Sequence, residues 1–400
     1  MKLTILGDVM FDNAMTQSLD QYRVPETGEL DFTSIFSETK DLLGKADSVI
    51  ANLETPITED LNNLTCKKWT FCTAIAFAKA VKNANIPCVT TANNHCLDRG
   101  TPGIENTIRC LDKTGLIHTG LHSRSRRRKL LLLTVNGIRF GVLSYTYGTN
   151  AFSNNEYLRR SERRMVDLLQ EQEEAVNRGK LERPVRKKYS AAFLKAISKP
   201  HKKKVNPENE GKQIYEKVTR NHRRLKWLAR DIRKLKQAGA DHIIGCMHIG
   251  GQYNMEPSLY TRRTASWLKN RGCNIVICNH EHVIHGSTYS PERDEITAFA
   301  LGNFVGAAGT LHGPYDRRAE YSIALHLYLD ENTKKMKKVT FSVLKAVLSD
   351  AKTYKVWEAS DLYGNLKNPE ERAALEKETL DCAADFAGKT YSAIQEEFEL

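Results

Sequence analysis

The chain has 400 residues, 40% hydrophobic and 27% charged, with a formal net charge of +12. This is ordinary for a soluble globular protein of enzyme size, built as two domains or one large α/β domain, and no run is long and apolar enough to span a bilayer. The basicity is local: residues 156–236 hold 25 Lys and Arg against 11 Asp and Glu, so the remainder carries a net −2, which argues against a nucleic-acid partner.

In chain order, Lys2 to Leu6 is an apolar run ending in Gly7-Asp8. It shows no apolar core with a small-residue cleavage site, so no signal peptide is expected and cytoplasmic residence follows. Nine cysteines without a CxxC fit reduced, mostly buried thiols. A helical portion lies near Thr33 to Leu43. Asp47 to Ala51 is a second buried strand, followed by Asn52-Leu53-Glu54. Thr73 to Ala84 and Gly103 to Lys113 have apolar residues at helical spacing. Between them Pro87 to Thr91 is a third strand, ending in Ala92-Asn93-Asn94-His95. Leu130 to Val135 and Ile138 to Tyr145 flank Asn136-Gly137, a strong hairpin signal.

The segment 157–236 is lysine- and arginine-rich, is broken by Pro184, Pro200 and Pro207, and ends in an amphipathic helix. It reads as a basic helical insertion. Its charges either face water or form a collar that attracts an anionic substrate. Asp241 to Met247 resumes the sheet and ends at His248. A helix covers Pro257 to Asn270. Asn274 to Cys278 is a buried strand running into Asn279-His280-Glu281-His282. Alternate residues of extended chain point the same way, so both imidazoles are expected to leave the strand end together. Ile296 to Leu301, Tyr321 to Leu329 and Val339 to Leu348 are further strands. Residues 351–400 read as a helical, charged tail.

Strand after strand thus ends in a polar cluster. In open α/β sheets, ligands sit outside the carboxyl ends of the strands. Asp8, Glu54, Asn94, His95, His248, His280 and His282 mix carboxylate, amide and imidazole donors. Structural zinc prefers Cys and His, and magnesium or calcium prefers oxygen alone. The mixture suits two divalent transition metals, manganese, iron or zinc.

The ordered stretches GDVM, ANLETP, TTANNHCLDRG, CMHIGGQY, CNHEHVIHG and ALGNFV closely resemble the CapA (poly-γ-glutamate capsule synthesis) family, a branch of the calcineurin-like metallophosphoesterases. The resemblance covers about residues 1–350 outside the basic segment. It implies a metallophosphoesterase-like four-layer α/β sandwich, two mixed β-sheets flanked by helices, as one domain over 1–350 interrupted by 157–236. It also implies a dinuclear metal site activating water. Asp8 and His282 then match ligands of the first metal and Glu54 the bridging carboxylate. Asn94, His248 and His280 match ligands of the second metal. His95 matches the residue that assists the leaving group. Asp98, Arg99 and Asn303 lie inside the motifs as substrate contacts or supports for the ligands. Met10 stands where related phosphoesterases carry a histidine, and Asn279 and Glu281 also depart from the family pattern.

The resemblance implies a metal-dependent hydrolase acting on a phosphoester or on a poly-γ-glutamate or cell-envelope polymer, with an anionic small molecule or polymer as substrate. The alternative is a non-catalytic component of capsule polymer synthesis or export, with capsule-assembly proteins as partners.

Overall fold

The computed structural model describes residues 1–64, 70–126, 128–154, 156–170, 222–306, 317–349 and 353–400. Most of the basic segment, Lys202, Lys203 and Lys204 included, lies outside the described residues, as do Ile214 and Val218, which with Leu225, Leu228, Ile232 and Leu235 make the apolar stripe of its expected amphipathic helix.

The apolar, β-branched runs form strands. Seven of these carry or flank the site: β1 (Lys2–Val9), β2 (Ser48–Leu53), β3 (Cys88–Thr90), β4 (Ile138–Thr146), β5 (His242–His248), β6 (Ile275–Asn279) and β7 (Asn303–Val305). In the first sheet β1, β2 and β3 run parallel, with Ile117–Thr119 beyond β3. On the other side of β1, Tyr321–Leu329, Met336–Leu348 and Tyr354–Glu358 follow in antiparallel order. β7 and Phe398–Glu399 complete nine strands among the described residues. The second sheet has six, in the order Ile284–Ser290, Glu295–Leu301, β6, β5, β4 and Leu131–Val135. Its inner four are parallel and its edges antiparallel. The expected hairpin is present, with Asn136 and Gly137 both at positive φ.

Three apolar clusters define four layers. Ile50 and Leu325 of the first sheet pack with Phe140, Ile244 and Ile277 of the second. Helices Ile75–Asn83 and Gly100–Thr114 cover the outside of the first sheet, where Phe77, Val81 and Leu111 meet Val49, Ala51 and Val89. Helices His222–Gln237 and Leu259–Lys269 cover the second, where Leu228, Ile232 and Leu268 meet Leu143, Ile243 and Val276. The protein is therefore an α/β sandwich of two mixed sheets flanked by helices. None of the eight described cysteines is in a disulfide. No helix among the described residues is long and apolar enough to cross a membrane.

The segment 351–400 differs from the expected helical tail. Tyr354–Glu358 is an edge strand, with Tyr354, Val356 and Glu358 buried in alternation. Five residues give too short a period of two to stand out from the charged sequence around them. The helix Pro369–Ala387 and Phe398 then supply Leu375, Ala383, Phe386 and Phe398 to the core between the sheets. Ile284–Ser290 is a further strand, hidden in sequence because HGSTYS offers few apolar residues.

Candidate metal centre

Asp8 reaches the centre through a break in β1. The pairing with β2 shifts register between Ile5 and Asp8. Beside the break, a Cβ on Gly7 would lie 2.0 Å from the Gly302 carbonyl oxygen. The Asp8 N–H donates to that same oxygen at 3.0 Å. Only glycine allows this approach. The strand Glu295–Leu301 passes through Gly302 into β7, carrying the chain from the second sheet to the first. Asp8 thereby pairs in register with both Asn52 and Asn303. Asn52 Nδ2 donates to Asp8 Oδ1 at 2.7 Å. Asp8 Oδ2 is buried without a hydrogen-bond partner among the described residues, 3.8 Å from His282 Nδ1.

Glu54 follows β2 and is fully buried, and neither of its carboxylate oxygens has a hydrogen-bond partner among the described residues. Its Oε1 lies 3.4 Å from Nε2 of His248, the last residue of β5. Asn94, beyond β3, brings Oδ1 to 2.8 Å from the same Nε2.

His280 and His282 converge by a different route from the expected one. β6 ends at Asn279, and the two histidines follow at φ 118° and φ 61°. Residues other than glycine adopt this region at a cost. The turn is held by main-chain bonds from Ile249 to Asn279 and from Tyr253 to Glu281, at 2.9 and 2.8 Å. The result is a ring-centre separation of 5.8 Å, with His248 4.7 Å from His280. His282 Nδ1 bonds Asn303 Oδ1 at 2.9 Å, while His280 Nδ1 is buried without a hydrogen-bond partner among the described residues.

Two groups of ligand atoms result. Those of Asp8, Glu54 and His282 lie within 4.8 Å of one another, and so do those of Glu54, His248 and His280. Glu54 belongs to both. Burial, and for Asp8 also the charge of Glu54, pushes both carboxyls above their ordinary range. Burial pulls His248 down to about 4 and lowers His280 and His282 as well. The imidazoles are therefore neutral at physiological pH, with lone pairs available. Buried carboxylate oxygens and an imidazole nitrogen without protein partners fit divalent cations, which would compensate the charge and satisfy those atoms.

His95 sits beside this cluster. Its Nδ1 lies 2.6 Å from Asp98 Oδ2. Asp98 also accepts from Phe71 N–H at 2.7 Å and from Asn154 Nδ2 at 2.6 Å. The Phe71 ring stacks on the imidazole at 3.8 Å. Burial pulls the His95 pKa down, but Asp98, with Glu54 and Asp8, outweighs it and holds the imidazole above its ordinary value.

Asp98 and Asn303 thus contact His95 and His282. Arg99 does not join them; its guanidinium donates to Asn63 at an exposed position, at 2.7 Å. Sequence reasoning missed Asn150, whose Oδ1 accepts from Asn94 Nδ2 at 3.2 Å, and Asn154. The polar cluster after β4 was the signal available for both. Tyr147, with its ring centre 4.8 Å from that of His280, was also missed.

The sequence pattern of the family described as "Bacterial capsule synthesis protein PGA_cap" matches residues 2–308, which include all seven strands above. The "Capsule biosynthesis protein CapA" of Bacillus anthracis is 23% identical over 314 residues, 76% of this chain and 59% of the relative. The "PGA biosynthesis protein CapA" of Bacillus subtilis (strain 168) is 21% identical over 305 residues, 76% of this chain and 62% of the relative. The chain thus spans about three-fifths of the length of the curated relatives it matches. Among solved structures, the calcineurin-like phosphoesterase YfkN from Bacillus subtilis superposes with a TM-score of 0.38 at 14% identity, covering 94% of this chain and 96% of the other. By the match over residues 2–308, the chain belongs to the bacterial capsule synthesis protein PGA_cap family.

Proposed function

We propose that the protein is a metal-dependent hydrolase with a centre for two divalent transition-metal ions, manganese, iron or zinc. The observation that supports this best is Glu54, a fully buried carboxylate shared by two ligand groups and without hydrogen bonds of its own. Asp8 and His282 would hold one ion with Glu54. Asn94, His248 and His280 would hold the other. Ions bound there supply Lewis acidity toward a phosphoryl or acyl oxygen and make water nucleophilic near neutral pH.

The chain's own groups do the rest. Asn52 and Asn303 orient Asp8 and His282 through the bonds described above. Asp98 fixes His95 at Nδ1, leaving Nε2 to hold a proton for the departing oxygen or nitrogen. Phe71, stacked on the ring, keeps water from that face. The substrate is a phosphoester or a bond in a poly-γ-glutamate or other cell-envelope polymer. Family membership and the relatives' names support the polymer; the donor set supports the hydrolysis.

A second reading is a non-catalytic component of capsule polymer assembly, which the relatives' names favour. Elemental analysis after growth with manganese, iron and zinc, followed by a panel of phosphoester and γ-glutamyl substrates, separates the two. Up to two ions per chain with turnover is expected. Bound metal without turnover on any substrate leaves the assembly role. Absence of metal sinks the hydrolase.

A further inference from the structure

The strand β4 ends at Thr146, which pairs in register with His248 at the end of β5. The next residue continues the link, because the Tyr147 N–H donates to the His248 carbonyl oxygen at 3.0 Å. Thr146 Oγ1 donates to the Gly148 carbonyl oxygen at 2.8 Å and turns the chain. Asn150, at φ 48°, then accepts from Asn94 Nδ2 at 3.2 Å. The loop 147–150 is thus pinned at both ends to residues proposed as metal ligands. A loop held in this way places its side chains with much of the precision of the strands beneath it.

Tyr147 is half-buried in this wall, with its ring centre 4.8 Å from that of His280 and tilted by 44°. Its hydroxyl is close enough to Glu54 to feel the charge of that carboxylate, so it lies on the side where the two ligand groups meet. A tyrosine hydroxyl drawn away from bulk water usually finds a hydrogen-bond partner. This one has none among the described residues. Packing against His280 would need only the ring. The groups around the hydroxyl are mostly acceptors: the carboxylates of Asp8 and Glu54, the Asn94 amide oxygen and the imidazole lone pairs. The amide donors nearby are committed. Asn52 Nδ2 is spent on Asp8 and Asn94 Nδ2 on Asn150, while Gln252 Nε2 lies 3.4 Å from His282 Nε2. His95 is assigned to the departing group. Tyr147 therefore offers the centre an uncommitted, neutral donor.

We propose that the Tyr147 hydroxyl contacts substrate, donating a hydrogen bond to an anionic oxygen of the reacting phosphoryl or acyl centre. The inference rests on the hydrolase reading and adds a residue to it. Such a centre gathers negative charge on its oxygens as it reacts, and a fixed donor is worth most where that charge develops. Tyr147 suits the role because its main chain is bonded to His248 and its ring packs on His280, so the hydroxyl needs little reordering to meet substrate.

The test compares wild type with Tyr147→Phe, which keeps the ring against His280 and removes only the hydroxyl. Both are loaded with manganese and their ion content is measured. Inorganic phosphate, a tetrahedral anion that mimics either reacting centre, is then titrated calorimetrically. Equal metal content is expected, with phosphate bound about tenfold more weakly by the variant, the worth of one charge-assisted hydrogen bond. With any substrate that turns over, kcat is expected to fall by ~10²-fold while KM changes far less. Phosphate bound equally by the two proteins, or not bound by metal-loaded wild type, would overturn the proposal. So would loss of metal from Tyr147→Phe, which would make the hydroxyl a support for the ligands instead. Wild type that takes up no metal fails the hydrolase reading itself, and elemental analysis reports that before phosphate is added.

Discussion

His95 Nδ1 and Asp98 Oδ2 lie 2.6 Å apart in the buried wall beside Glu54. Asp98 spends its acceptor capacity on His95, on the Phe71 N–H and on Asn154, so its charge is directed at the imidazole. This pairing leads to the first prediction. His95→Ala retains the metals and loses turnover by ~10²–10³, the usual worth of a proton donor or oxyanion stabiliser. Metal content and turnover are measured on the same preparation. If His95→Ala strips metal while activity per bound ion stays intact, the assignment fails.

Glu54→Ala is expected to cost more metal than any other single ligand change. Its oxygens lie in both ligand groups, whereas Asp8 and His280 each lie in one. Elemental analysis of Glu54→Ala, Asp8→Ala and His280→Ala ranks them. Loss of one ion or fewer from Glu54→Ala would remove the bridging role.

How much of this was legible in sequence varies by residue. Asp8, Glu54 and His248 stood out because buried strands of β-branched residues stop abruptly at a polar side chain. His280 and His282 were legible as a pair, but not their geometry. Extended alternation was expected, and two left-handed residues bring the rings together instead. Nothing local in sequence announces a positive φ at histidine. Asn52, Asn150 and Asn154 act through side-chain amide hydrogen bonds to residues far along the chain, and such contacts follow only from the register of β1, β2 and β4. The strands and their covering helices were readable from periodicity, whereas the four-layer arrangement followed only from the family resemblance. The strand Tyr354–Glu358 was not, because five residues carry too little pattern.

Gly250 ties that histidine turn to β5. It has φ 123°, and a Cβ there would fall 1.8 Å from Glu281 Oε1. Glu281 stands between the two histidines and is fully buried, so Gly250→Ala, strained at this φ, shifts the Glu281 carboxylate and with it strains the turn that aims them. Metal affinity is expected to fall by about 10–100-fold, the range seen when a residue supporting a ligand is changed. Gly364→Ala is the control, since nothing lies within 4 Å of its added Cβ. Equal metal affinity in the two variants would show that the turn tolerates the shift.

Glu358 sets a pH dependence of stability away from the centre. It is 3% exposed, and its Oε1 has no hydrogen-bond partner among the described residues. Burial, then the charges of Asp361 and Glu396, push its carboxyl up to about 7. An acid with a higher pKa in the folded state stabilises fully below its unfolded value, about 4.5, and loses that contribution as pH rises through about 7. The full effect is about 3 kcal/mol at most. Glu358→Gln keeps the neutral form at every pH. Its melting temperature should match wild type near pH 4.5 and exceed it by pH 8. Parallel curves for the two proteins across that range would exclude the effect.

The C-terminal segment gives the last prediction. Phe386 and Phe398 are fully buried, and each ring lies about 5 Å from Phe341, at 4.9 and 5.3 Å between centres. Phe341 sits in the strand Met336–Leu348, and its neighbours in the core include Leu325 and Val339. Phe398 also pairs directly with Phe341 across the sheet edge. A dispensable tail would tolerate truncation of these rings. A tail that closes the core would not, because a cavity forms beside a packed sheet. Phe386→Ala is therefore expected to destabilise by about 3–5 kcal/mol, the usual cost of removing a buried aromatic side chain. Exposed Lys389 serves as the comparison, since Lys389→Ala removes only a surface charge beside Tyr391. Urea unfolding of the two variants measures the difference. A Phe386→Ala midpoint equal to that of Lys389→Ala would show that the segment rests on the core without closing it.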